Sequence, residues 1–261
     1  MIRANRFPSR VFLILLVAAV GGVAASFPLV FSLYADKIAE SPIPLPALLA
    51  LALLQNSVLM GIIIAVGLWL TAKLGLPGTP IIDDWLSGKG IGERLRSIIQ
   101  PGLMTGFGVG CAVLLLFYLL LQKELPQLPL GKAASMEVWK RLLICFYGGI
   151  TEEILMRIFL FSLLAWILSK VWRSSDGTLA PRALWAATII LALLFGLGHL
   201  ASVIPLMPIT FNIVLGALLL NGIASVAFTS LYLKRGLEAS ILAHFMADLV
   251  IWVLGPSFLA R

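Results

Sequence analysis

Charge is what this sequence has least of. Charged residues occupy 12% of its 261 positions against 61% that are hydrophobic, and the mean hydropathy is +1.05. A soluble domain carries about 25% charged residues, so there is too little charge here to coat a water-facing surface. No stretch reads as a separate soluble domain. Cysteine is scarce too. Cys111 and Cys145 have no partner spacing, which excludes a disulfide framework, and their apolar surroundings predict two small core residues. Histidine occurs only at positions 199 and 244. No H-E-x-x-H, internal repeat or low-complexity segment is present. The net charge of +7 forms no basic stripe with interleaved aromatics. Its cations are scattered through short links between apolar runs, which argues against nucleic acid as a partner.

What the chain does have is long apolar runs. At ~20 residues per crossing, they predict an all-α, polytopic membrane helix bundle of about seven transmembrane helices (six to eight), with the lipid bilayer as solvent. The expected spans are Val11–Tyr34, Leu48–Leu74, Pro101–Leu121, a long stretch from Met136 to Trp172, Arg182–Leu200, Thr210–Leu233 and Leu237–Leu254. Ala24-Ala25-Ser26 faintly resembles a cleavage site, but the apolar run continues beyond any secretory core of about 7–15 residues, so an uncleaved first helix is expected. Gly106 and Gly110 have the small-xxx-small spacing of close helix contacts. Gly148-Gly149 marks a hinge or packing point in the fourth stretch. The Ser174–Gly177 and Lys234–Gly236 segments are expected turns. Gln55, Asn56, Asn212 and Asn221 read as interhelical hydrogen bonds, and Trp139, Trp172 and Trp252 as interface anchors.

Lysine and arginine set orientation. The N-terminal side holds twelve: Arg3, Arg6, Arg10, Lys73, Lys89, Arg94, Arg96, Lys170, Arg173, Arg182, Lys234 and Arg235. The opposite side holds six: Lys37, Lys123, Lys132, Lys140, Arg141 and Arg261. A cytoplasmic N-terminus follows as the expectation, with the bacterial inner membrane as the compositional choice of location.

An ionisable group at the bilayer centre costs roughly 2.5–3.5 kcal/mol even on the lenient insertion scale, so one retained there is a functional candidate. Within the apolar runs these are Glu152, Glu153, Arg157, His199, His244 and Asp248. Glu153 and Arg157 are four apart, share a helix face and can pair. Glu152 points about 100° away, leaving its carboxylate for another partner. His244 and Asp248 share a face, as do Phe195 and His199, with Gly196 and Gly198 allowing close helix approach.

Read in order, Glu152-Glu153-Ile154-Leu155-Met156-Arg157 is E-E-x-x-x-R, Phe195 to His199 is F-x-x-x-H, and His244 to Asp248 is H-x-x-x-D. This trio on successive membrane helices resembles the CPBP family, which includes CAAX prenyl endopeptidases and bacteriocin-processing or abortive-infection proteins. The resemblance covers about residues 136–254. It divides the single membrane domain into N-terminal helices of unassigned role (1–135) and a catalytic helix core (136–255). It implies a metal-independent, glutamate-dependent intramembrane endopeptidase. In that scheme Glu152 activates water, His199 helps to hold it, His244 and Asp248 stabilise the oxyanion, and Glu153, Arg157 and Phe195 support the site. The implied partner is a peptide or protein tail at the membrane, lipidated or not. The chemistry is coherent in itself, since amide hydrolysis needs a placed base and donors aimed at the developing oxyanion.

Two departures stand out. The family often has Asn at the last motif position, and an Asp can donate a hydrogen bond only while protonated. Ile158 follows the motif arginine where Gly is common. No cofactor is required by this scheme, although two histidines and a carboxylate also suffice to ligate zinc. A non-catalytic scaffold or immunity-type protein with the same fold is the alternative. A proton-coupled carrier is a further one, disfavoured because the ionisable groups form one patch rather than a path. His199 near one span's end and His244 near another's start would lie at different depths. The uncharged link Ala201–Pro208 is therefore expected to dip into the interior.

Overall fold

A computed structural model describes residues 7–172 and 178–256. Arg3, Arg6, Arg173, Arg261 and the Ser174–Gly177 turn lie outside the described residues. The described residues are helical with short links, and six helices are long and apolar enough to cross a membrane: α1 (Ser9–Leu33), α2 (Leu45–Leu74), α3 (Gly92–Leu121), α5 (Pro181–Val203), α6 (Phe211–Arg235) and α7 (Leu237–Asp248, continued by the π-wound Leu249–Leu254). Between α3 and α5 runs α4. It begins as Val138–Phe146, winds as a π-helix through Tyr147–Glu152 and Ile154–Phe161, and ends as Ser162–Leu168. The protein is an all-α, polytopic integral membrane protein.

Contacts between helices fix the topology. Along α4, Lys140 reaches Ser32 of α1 (3.0 Å) and Thr151 donates to the Ala19 carbonyl (2.8 Å), so α1 and α4 run antiparallel. At its other end Ser162 meets Thr71 of α2 (3.0 Å). The α4 run thus traverses the bundle from one face to the other, alongside the six long apolar helices. Glycines carry the closest approaches. A Cβ on Gly102, Gly106 or Gly110 of α3 would meet Leu242, Ala243 and Met246, or Val250 of α7, in rising order, so α3 and α7 run parallel. The small-xxx-small reading of Gly106 and Gly110 holds.

Several expectations need correction. The link after α5 does not sink into the interior. The helix continues to Val203, and Ile204, Pro208 and Ile209 are exposed or nearly so. Irregular backbone is not tolerated against lipid within the hydrocarbon region, and this link lies at the face where α5 ends. Asn56 and Asn221 do not bridge helices: each donates to the carbonyl four residues back in its own helix, Ala52 (2.8 Å) and Ala217 (2.9 Å). Cys145 is buried, but Cys111 is exposed on the outer face, because in a membrane bundle the outside is apolar as well. α1 is unbroken through Ala24-Ala25-Ser26, and Gly148 and Gly149 are buried packing points within the π-wound stretch.

Candidate active site

The fourth helix is π-wound where it carries the acidic pair. Such i→i+5 turns are rare and recur at functional sites. Gly148 lets it approach α7: a Cβ there would collide with the Asp248 carboxylate and lie 3.2 Å from His244 Nε2. On the next residue, a Cβ on Gly149 would lie 3.1 Å from the Phe245 backbone. The two glycines therefore bring the E-E-x-x-x-R segment and the H-x-x-x-D segment into direct contact.

Glu153 is the buried hub of this contact. It has no exposed surface, nor does Arg157, whose Nη2 donates to Glu153 Oε1 at 3.1 Å and whose Nε lies 3.1 Å from Oε2. Ser240 of α7 donates to Oε2. His244 Nδ1 lies 2.8 Å from Oε1. Because Glu153 already accepts from Ser240 and from the Arg157 guanidinium, it is the acceptor here too, and His244 Nδ1–H the donor. The ring orientation is thereby fixed from behind. Phe228 stacks on that ring at 4.9 Å and Phe195 meets it edge-on at 6.1 Å. A helical-face argument assigns Glu153 to Arg157 alone; its larger role is across helices, to His244.

The other edge of His244 faces the remaining carboxylates. Nε2 is 3.9 Å from Glu152 Oε2 and 3.8 Å from Asp248 Oδ1. Both distances are too long for direct hydrogen bonds, and all three groups line the same cavity. Glu152 makes no bridge to Arg157, in keeping with its different face. His199 Nδ1 is 2.8 Å from the Phe195 carbonyl. A carbonyl can only accept, so Nδ1 carries a hydrogen and donates it, and in the neutral tautomer Nε2 is then the acceptor. Phe195 lies edge-on to both imidazoles, 4.6 Å from His199 and 6.1 Å from His244. It stands in contact with a histidine near the end of α5 and with one well inside α7.

These groups line one cavity of about 330 Å³, together with apolar residues of α1, α3, α5 and α6. Glu152, His199, His244 and Asp248 all open onto it, with Phe195 in its wall. Glu153 and Arg157 do not: they stand behind. Asn221, Ser202, Tyr34 and Tyr147 add polar groups to the lining. Asn221 was legible from sequence only as a helix contact, since an isolated amide in an apolar run has no distinguishing spacing. Both histidine Nδ1 atoms are committed to carboxylate or carbonyl oxygen, and among the described residues no three His, Cys, Asp or Glu side chains are grouped to hold a metal ion.

A bundle of membrane helices enclosing a Glu–His–His–Asp site in an apolar cavity is the class of protein that fold and site define. Residues 134–250 match the family model of the Rce1-like type II CAAX prenyl endopeptidases. That match is consistent with the CPBP resemblance of the chain's motifs. No curated protein and no solved structure matches it.

Proposed function

We propose that this protein is an intramembrane endopeptidase that hydrolyses a peptide bond of a membrane-associated substrate, with Glu152 as the base. The supporting observation is the divided duty of His244. Its Nδ1–H is held by the buried Glu153, while Nε2 faces Glu152 and Asp248 on the cavity floor at 3.9 and 3.8 Å. In this reading a water lies between Glu152 and the Nε2 of His199. Glu152 removes its proton as the oxygen attacks the carbonyl carbon. The resulting oxyanion accepts from the imidazolium Nε2–H of His244 and from protonated Asp248. Glu152 then returns the proton to the departing amine. Donors placed in advance within a dry site act on the charge that develops in the transition state, where each is worth most. No metal enters this route.

The test is cleavage of a quenched-fluorescent peptide library, part of it farnesylated, by detergent-purified wild type and Glu152→Gln. Removing a general base costs typically 10²–10⁴-fold. Glu152→Gln is expected to lose at least that much while unfolding at the wild-type temperature, because Glu152 has no ion pair below 3.9 Å. Wild-type cleavage should also survive exhaustive chelation. Equal cleavage by the variant would rule Glu152 out, and a folded wild type inert towards every peptide would favour a scaffold.

A further inference from the structure

We propose that the cavity opens on the extracytoplasmic face of the membrane, so that its substrate is a peptide segment approaching from outside the cytoplasm. The substrate half of this statement rests on the peptidase reading; the orientation does not.

The lining of the cavity reaches one face of the bundle. From the His244 level, marked by Phe228 on α6, its lining continues along that helix to Ile213. That is fifteen residues, or about 22 Å at helical rise. It then reaches Tyr34 beyond α1, Pro129 in the link after α3, and Ser202 near the end of α5. Tyr34 donates to the Ser202 carbonyl at 2.7 Å across this mouth. All of these positions lie at the face where α1 ends, opposite the N-terminal face.

Towards the N-terminal face the site is closed. Behind Glu153 and Arg157, Phe161 packs edge-on against Tyr232 at 6.0 Å. Beyond them the link after α2 lies over the start of α7. Leu237 N–H donates to the Gly78 carbonyl (2.9 Å), and the Ile81 and Ile82 amides donate to Glu238 Oε1 (3.0 Å each). No residue of that link lines the cavity.

The cations distinguish the two faces. Among the described residues the N-terminal face carries nine Lys and Arg at or beyond the helix ends, from Arg10 to Arg235. The mouth face carries Lys37, Lys123, Lys132 and Lys140. Arg141, which counts against orientation in the bare sequence, is buried and donates to the Trp252 carbonyl, so it is no loop charge. Ion pairs occur on both faces, Lys140 with Glu137 on one and Lys89 and Arg94 with Asp84 on the other, so the count of Lys and Arg itself carries the comparison. On the N-terminal face, Lys73 lies over the Trp69 and Trp166 rings and Lys170 over Trp166, the cation-and-aromatic arrangement of an interface against anionic headgroups. Cytoplasmic loops keep Lys and Arg. The closed face is therefore cytoplasmic and the mouth lies outside.

The experiment labels single cysteines in a Cys111→Ala background with a membrane-impermeant maleimide, in intact cells of a bacterial host and after permeabilisation. Lys37→Cys and Ser202→Cys are expected to label in intact cells, and Lys89→Cys only once the membrane is opened. The reverse pattern, or equal labelling of all three, overturns the orientation. Right-side-out and inverted vesicles are then given an impermeant quenched peptide. Cleavage by the right-side-out preparation alone supports the substrate side, and cleavage by the inverted one overturns it. Expected labelling with cleavage by neither leaves the orientation standing and removes the peptidase reading.

Discussion

Glu152 and Glu153 are neighbours in the chain with different surroundings, and the proposed chemistry divides along that difference. Glu152 borders the cavity; Glu153 is enclosed with Arg157, Ser240 and His244. Breaking a buried ion pair from one side typically costs about 3–5 kcal/mol, because the remaining charge is left without compensation. Glu153→Gln is accordingly expected to lower the thermal unfolding temperature and to abolish cleavage, whereas Glu152→Gln abolishes cleavage alone. Adding Arg157→Met to Glu153→Gln removes the orphaned cation. Stability should recover substantially while activity stays lost, since His244 still lacks its anionic acceptor. Thermal unfolding and peptide cleavage, measured on the same preparations, check both halves; a double variant that regains activity would reduce Glu153 to a structural pair. The spacing of the motif named these residues and put Glu152 on a separate face. The tie from Glu153 to His244 was not legible, because i,i+4 reasoning sees one helix and this bond joins two.

At the scale of the element, glycine placement decides which helices touch. A Cβ on Gly106 would meet the Ala243 carbonyl and, at 2.7 Å, Met246 Cβ. Backbone on one side leaves little room to yield. One on Gly148 would meet the far end of Asp248 instead, a side chain that can turn away. Overpacking costs typically 1–3 kcal/mol. Gly106→Ala is therefore expected to lose about that much stability with proportionate loss of activity. Gly148→Ala should fold with a smaller penalty and lose at least about tenfold in kcat/KM, or about 1.4 kcal/mol of transition-state stabilisation. Unfolding curves beside steady-state cleavage separate the two, and equal stability losses would contradict the argument. Ile158 fits the same logic. Where the family commonly has glycine on this helix, the glycine is across the contact: a Cβ on Gly67 of α2 would lie 2.7 Å from the Ile158 carbonyl. Small-residue spacing made the α3–α7 contact readable in advance. The π-winding of α4 was not, since apolar periodicity carries no record of whether a carbonyl accepts from the fourth or the fifth residue onward.

For the whole molecule, hydropathy alone supplied the class and close bounds for most spans, because a bilayer leaves few ways to satisfy backbone hydrogen bonds. The relative depth of the two histidines was not solvable that way. Sequence predicts an inward-dipping link after His199; the structure instead continues α5 as a helix, and both histidines contact Phe195 and line one cavity. The role of the first helices was likewise silent in their sequence. Leu29, Val30, Leu33 and Tyr34 of α1 and its end form one wall of the cavity, so a segment outside the 134–250 family match shapes what the site can receive. Apolar walls with few polar groups select by size and hydrophobic surface. Leu33→Trp adds volume at a part-buried wall position far from Glu152 in sequence. It is expected to leave the unfolding temperature near wild type and to reduce kcat/KM by about tenfold or more, or roughly 1.4 kcal/mol. The loss should fall mainly in KM and be steepest for peptides with bulky apolar residues at the scissile bond. A loss confined to kcat, or shared equally by small and bulky peptides, would mean that substrate does not pass along this wall and enters the bundle by another route.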